Sequence, residues 1–431
     1  MTTRYFGIAA RGTFGALALA LLTTHAAHAQ LANASASTLG MAGNNTALVR
    51  GFGAISVNPA GLGMPGSGFS LTVAPVQVRL GLAPVSVGDL YDFQGQVVPD
   101  ATKSEWLARV IDAGGEAGAV GADATAFALT LGSVGFQLST TASTELNLPP
   151  GLVEGMLFGN AGRTGTPADL DLADASFEGF ALTTAAMSFA LPVSPALVFG
   201  LTGKYTHGHG LAVGRALSGA FESNPIQGSL DFPMVTSCAD EIVCTQDFVE
   251  GGSGFGVDLG AMVDLGTITL GASLQNVINS FAWDETKLGY RPGTVFFDTG
   301  NFESDYDELP FDQAPTDLQA IVADYTLKPS FRMGAALDVS PMLTLTGDIH
   351  GRLADEGIAL QPGYHTGVGA EMRAGFLHLR GGVTKMTDGM QYGGGTSLVL
   401  GPVNLSGAVG LQKTDLSDTV MAQFGLSFGG R

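Results

Sequence analysis

Charge is what this sequence lacks most. Asp, Glu, Lys and Arg make up only 13% of its 431 residues, about half the share usual in soluble globular chains. Positive charge is the scarcer sign, with 19 Lys and Arg against 39 Asp and Glu and a formal balance of −20. Such a surface repels polyanions, which sets nucleic acid aside as a partner. Cysteine is nearly absent, with only Cys238 and Cys244 present. No histidine or second cysteine pair accompanies them at zinc-site spacing, so no metal is expected there. Long apolar runs are missing too: no 18 consecutive apolar residues follow residue 30, which excludes a membrane-spanning helix. Disorder is equally excluded, because 45% of the chain is hydrophobic and disorder requires little apolar content.

The N-terminus supplies an export signal. Arg4 and Arg11 form a basic region, Phe14 to Leu22 (FGALALALL) a short apolar core, and Ala27-His28-Ala29 an A-x-A cleavage site. Residues 1–29 are therefore expected to be removed, leaving 17 basic against 39 acidic residues, or −22. Export places Cys238 and Cys244 in an oxidising compartment, where a disulfide closing a small loop is the expected state.

Beyond residue 67 the dominant signal is a period of two. In GFGVDLGAMVDLGTITLGASLQNV (254–277) one face reads Phe255, Val257, Leu259, Ala261, Val263, Leu265. The other reads Gly256, Asp258, Gly260, Met262, Asp264; after Leu265-Gly266 the alternation resumes from Ile268. Two such runs joined by a tight turn predict a β-hairpin. Its polar face carries Gly, Ser, Thr and sparse carboxylates, not the Lys and Glu that soluble sheets expose. A barrel with an apolar exterior keeps small polar groups for its lumen. Short turns at 132–133, 192–195, 265–266, 340–342, 374–375 and 401–402 alternate with seven longer connections, giving about 14 strands. The fold class expected is all-β: a transmembrane antiparallel barrel with both chain ends on the short-turn side.

Several constellations bear on chemistry. With Ala374-Gly375 as the turn, Glu371 is expected opposite His378 and diagonal to Arg380, with Arg373 beside it and Asp348 and His350 on the preceding strand. These six residues would form one polar lumenal cluster. Its charge pairs would fix register and fill the interior, and a permeation or gating site is the alternative. No G-x-S-x-G elbow or comparable nucleophile spacing appears, so no catalytic residue, enzymatic activity or cofactor is expected. His207 and His209 form an H-x-H pair without a nearby third ligand, and the acidic stretch 298–317 lacks a calcium-loop pattern, so it is expected as a solvated external loop.

Asn58-Pro59-Ala60-Gly61-Leu62 follows a Gly/Ala-rich N-terminal segment and resembles the NPAGL signature of the FadL-type outer-membrane barrels. The 254–277 stretch, FRMGAALDVSPMLTLTGDI and GAEMRAGFLHLRGG are similar to the PorV and TraF-like branch of that superfamily. The resemblance implies a 14-stranded barrel in the cell outer membrane (68–431) with residues 30–67 folded inside as a plug that holds the Asn-Pro-Ala motif. It implies transport of small hydrophobic compounds through an external apolar groove and a lateral gap. Leu152, Val153, Met156, Leu157 and Phe158 are the expected external apolar patch. Outer-membrane lipid and hydrophobic small molecules are then the partners. The PorV-like alternative is a non-enzymatic role beside secretion-system proteins in protein export or surface assembly.

Overall fold

The computed structural model describes residues 31–159, 163–164, 169–223, 226–237, 251–298, 300–354, 358, 363–414 and 418–429. The export signal and both cysteines lie outside the described residues.

Fourteen strands build the barrel. They are β1 (Ser70–Ala83), β2 (Glu116–Leu131), β3 (Val134–Leu148), β4 (Ser176–Pro192), β5 (Leu197–Arg215), β6 (Gly252–Asp264) and β7 (Ile268–Asn279). The second half comprises β8 (Ser330–Ser340), β9 (Leu343–Arg352), β10 (Tyr364–Ala374), β11 (Leu377–Met386), β12 (Gly389–Leu400), β13 (Val403–Thr414) and β14 (Asp418–Gly429). Each pairs antiparallel with its sequence neighbour, and β14 pairs back onto β1 from Ser70↔Gly429 to Leu82↔Asp418, closing the ring. Closure removes the unpaired edges that an open sheet would present.

The alternation sorts as the period-two reading predicts. On β6 Phe255 and Leu259 point outward and are exposed, while Asp258, Gly260 and Met262 are buried inside. Large exposed apolar side chains recur on the outer face of strand after strand, among them Val78, Phe199, Leu270, Met333, Val368, Val409 and Phe424. An apolar band around a closed barrel is what a hydrocarbon surround accepts and water does not.

Two expectations about the connections change. The β10–β11 turn is Gly375-Phe376, not Ala374-Gly375, so Arg373 faces His378 and Glu371 faces Arg380 directly. Gly375 supplies the positive φ (+63°) that this tight turn needs. Nor are all seven connections on the other rim long. Only Thr387 and Asp388 separate β11 from β12, and β13 and β14 end and begin at Thr414 and Asp418. The long connections carry structure of their own, including helices α2 (Asp100–Ala113), α3 (Pro150–Phe158) and α4 (Thr316–Asp324). A five-stranded outer sheet contains the hairpin Thr294–Phe297 and Phe302–Asp305. The acidic 298–317 stretch is thus partly strand and helix start rather than a plain solvated loop.

Residues 31–67 lie inside the barrel. They form α1 (Ala36–Gly40), a second helical turn at Ala54–Val57, and a 3₁₀ turn at Pro59–Gly63. From Met41 to Leu62 the segment is almost wholly buried although it is mostly irregular. An irregular buried chain must find partners for its backbone polar groups, and the inward side chains of the barrel provide them.

Candidate functional site

The lumen is the candidate site, and its centre is the contact between the N-terminal segment and the barrel wall. Asn58 caps the 3₁₀ turn, its Oδ1 accepting from the Ala60 N–H at 3.2 Å. Its Nδ2 donates to the Thr46 carbonyl at 3.3 Å and to the Ala261 carbonyl of β6 at 3.2 Å. Asn58 is fully buried, so this one amide ties two parts of the segment to the wall. Pro59 starts the turn at the position where a missing N–H costs nothing. Opposite the turn, Gly200 and Gly260 are register partners on β5 and β6. A Cβ on Gly260 would stand 2.3 Å from Asn58 Oδ1, and one on Gly200 would stand 2.2 Å from the Ala60 nitrogen. Only glycine permits this approach.

A different contact holds the turn at residues 42–46. Arg332 of β8 donates to the Gly43 carbonyl at 2.8 Å and to Thr46 Oγ1 at 3.3 Å. The Thr46 N–H donates to Asp348 Oδ2 at 2.8 Å. Thr346 donates to the Asn44 carbonyl at 2.6 Å, and Asn44 Nδ2 donates to Thr384 Oγ1 at 2.8 Å. His350 and His365 stack with ring centroids 4.1 Å apart beside this latch. Arg332 and His365 are not among the six polar residues expected as a cluster; the signal for both is their place on the polar, inward rows of β8 and β10.

The six polar residues expected together separate into two groups. Asp348 pairs with Gly367 on β10, while Glu371 lies four residues nearer the short-turn rim. Asp348 and His350 belong to the latch. Glu371 is gripped by Arg373 Nε and Arg380 Nε, each at 2.6 Å, and Arg380 also reaches Ser397 at 2.6 Å. A cavity of about 150 Å³ flanks the segment on each side. The one toward the long loops is lined by Arg79, Asp123, Arg332, His350, His365 and three glutamines. The one toward the short turns is lined by Arg50, Glu371, Arg373, His378 and Arg380.

The external mouth is apolar on its β4–β5 side. Phe180 and Leu182 of β4 and Leu211 and Val213 of β5 form one buried cluster with Phe281, Trp283 and, from α4, Leu318 and Val322. Trp283 Nε1 donates to the Tyr325 carbonyl at 2.9 Å. The Tyr325 hydroxyl is pushed well above its ordinary pKa by burial, and then by the Glu178 and Glu145 carboxylates. Leu152, Val153, Met156, Leu157 and Phe158 do not form the open patch expected of them. Val153 is buried against Trp106, Leu107 and Val110 of α2, with Leu157 and Phe158 packed on the same cluster, and only Met156 stands exposed. An amphipathic helix beside another buries its apolar side there first. His207 and His209 do come together, with ring centroids 4.7 Å apart, although His209 is the extra residue of a bulge between the pairs Ala181↔Gly210 and Leu182↔Gly208. Its Nε2 lies 2.7 Å from Thr183 Oγ1.

The wall itself is weakest between β7 and β8. Their ladder stops at Gln275↔Ser330, although β7 continues along β6 to Gly256↔Asn279. Past that point Asn276 Nδ2 and Asn279 Nδ2 donate to the Lys328 and Leu327 carbonyls at 3.2 and 2.6 Å. Beside this seam, Lys204 Nζ donates to Asp258 Oδ1 and Asn276 Oδ1, both at 2.5 Å and all buried.

Solved structures share this architecture. The Pseudomonas putida toluene transporter TodX matches with a TM-score of 0.51 and 11% identity, over 93% of this chain and 99% of that chain. The monoaromatic hydrocarbon channel CymD matches at 0.51 and 12% identity, over 92% and 97%. The fold is that of the TodX-type outer-membrane barrels. A TodX variant, deltaS2S3, reaches a TM-score of 0.55 at 12% identity over 91% and 98%. By sequence, residues 118–277 match a family of unknown function, DUF5723. No curated protein matches by sequence. With TodX the chain shares the 14-stranded closed barrel and the N-terminal helical segment; at 11–12% identity the likeness carries fold and nothing finer.

Proposed function

We propose that this chain is an outer-membrane transport barrel for small hydrophobic compounds, exported by residues 1–29 and closed by residues 31–67 acting as a plug. The observation that carries the reading is the apolar cluster at the mouth. Phe180, Leu182, Leu211 and Trp283 gather buried apolar side chains at the external end of the lumen, and an apolar lining of that kind suits an apolar solute. The Asn58 cap and the Arg332–Asp348 latch hold the plug. The β7–β8 seam is the exit, since side-chain hydrogen bonds to two carbonyls part more readily than a ladder. TodX and CymD, described as a toluene transporter and a monoaromatic hydrocarbon channel, indicate the class of solute.

The test is uptake of labelled toluene by cells that carry the protein and by cells that lack it. Several-fold faster entry with the protein is expected, and equal rates sink the cargo reading. The plug has its own check. Excising residues 31–67 should raise single-channel conductance of the assembled barrel, and an excised barrel as silent as the full chain removes the plug role.

A further inference from the structure

We propose that the lumen also carries a path for small anions, running through the Thr38–Asn45 contact beside α1. This path is separate from the apolar mouth and does not depend on the hydrophobic-cargo reading. Its two chambers are the cavities on either side of the N-terminal segment, each about 150 Å³, roomy enough for several water-sized occupants. Five arginines face them, Arg79 and Arg332 in the outer chamber and Arg50, Arg373 and Arg380 in the inner one. Against these the linings hold two carboxylates, Asp123 and Glu371. In a chain with 39 acidic and only 19 basic residues, a cationic lining runs against composition.

The individual contacts point the same way. Asp123 is matched by Arg79, and Glu371 is gripped by both Arg373 and Arg380, so neither acid faces the path unpaired. Arg50 Nη1 donates to the Ala47 and Val49 carbonyls, and Arg332 to the Gly43 carbonyl. These two guanidiniums thus lie among carbonyls, with no carboxylate in ion-pair contact among the described residues. The nearest acids, Asp348 for Arg332 and Asp264 and Asp338 for Arg50, act on them from off the lining. The outer chamber also holds a deeply buried polar atom without a partner among the described residues, His365 Nε2, in a residue 5% exposed. A buried polar atom without a partner is costly unless a polar occupant reaches it.

Two hydrogen bonds join the partition, one of them from the Gly43 N–H to the Thr38 carbonyl at 2.8 Å. Thr38 lines the outer chamber, Asn45 the inner one, and Asn45 Nδ2 donates to Thr38 Oγ1 at 2.7 Å. Behind α1 there is no gap, because the Leu39, Gly40 and Met41 backbone is seated directly on Gly393, Gly395 and Gly382. Opening at the Thr38–Asn45 contact is therefore the step that would connect the chambers. A cationic constriction with low-dielectric walls then selects for anions by field alone.

The experiment is a planar-bilayer recording of the full mature chain in a potassium chloride gradient. A reversal potential on the chloride side, with chloride at least about twice as permeant as potassium, is the expected result. Cation preference, no preference, or the absence of any conductance overturns the proposal. Asn45→Ala should raise the conductance several-fold at unchanged selectivity. Arg50→Gln keeps a donor for the carbonyls and should move the permeability ratio toward unity, and retained heat-modifiable gel migration would show that the barrel is intact. An Arg50→Gln barrel that stays as anion-selective as the parent also overturns it. Failure of toluene uptake leaves this reading untouched, and a cation-selective lumen leaves the cargo reading untouched.

Discussion

The N-terminal segment meets the barrel in two physically different ways. On the β5–β6 side it lies against bare backbone, with the Asn58-Pro59-Ala60 turn pressed on Gly200 and Gly260. On the β8–β11 side it also lies close, with Met41 on Gly382 and Asn44 on Gly367, and there Arg332, Asp348, Thr346 and Thr384 bind it as well. The glycine contact sets shape and leaves no space. The charged contact adds orientation to a close approach, because Arg332 and Asp348 bind particular groups of the segment. One inserted segment is therefore packed on glycine on both sides and fixed by charge on one.

The strongest way to break this comparison is on the charged side. Arg332→Met should cost about 3–5 kcal/mol, because it strips the Gly43 carbonyl of its donor and leaves Asp348 buried with less compensation. Denaturant-induced loss of heat-modifiable migration measures it, and a neutral outcome would mean the latch contributes no stability. Next is the outer face. Leu259→Arg should impair insertion by about 2–4 kcal/mol near the midplane, while Thr269→Arg on the inward row should be better tolerated. Folding yield into vesicles reads both, and equal losses would reverse the assigned faces. Smallest is the β5–β6 side, where Gly260→Val should cost about 1–3 kcal/mol by overpacking. Its signature is local: protease access to the Asn58 turn should rise while the latch side stays protected. Uniform exposure of the whole segment would show that the two contacts are one cooperative unit.

The sequence carried the barrel well and the lumen poorly, and the hairpin at 254–277 shows why. Which of its residues face outward is a period-two property of the chain, and burial on β6 and β7 follows that row from Phe255 through Leu274. Asn58-Pro59 was legible as a motif because a capping side chain and a proline act within three residues. Gly200 and Gly260, its other half, are two glycines among 63, and nothing local marks them as docking positions. The polar cluster was misread for a related reason. Alternation places Asp348, His350, Glu371, Arg373, His378 and Arg380 on one inward row, but height along the barrel depends on the turn. A one-residue shift from Ala374-Gly375 to Gly375-Phe376 changed the partner of Glu371 from His378 to Arg380.

By itself, the sequence determined that the chain is an antiparallel β-barrel with an apolar exterior and a small-residue interior, because those properties are periodic along the strand. Only the tertiary structure decided which inward residues meet the inserted segment, that the α3 apolar face is spent on α2, and that arginines gather in two chambers flanking α1. Those facts depend on the register between strands and on contacts such as Arg332 to Gly43, 289 positions apart. No local pattern encodes a distance of that kind.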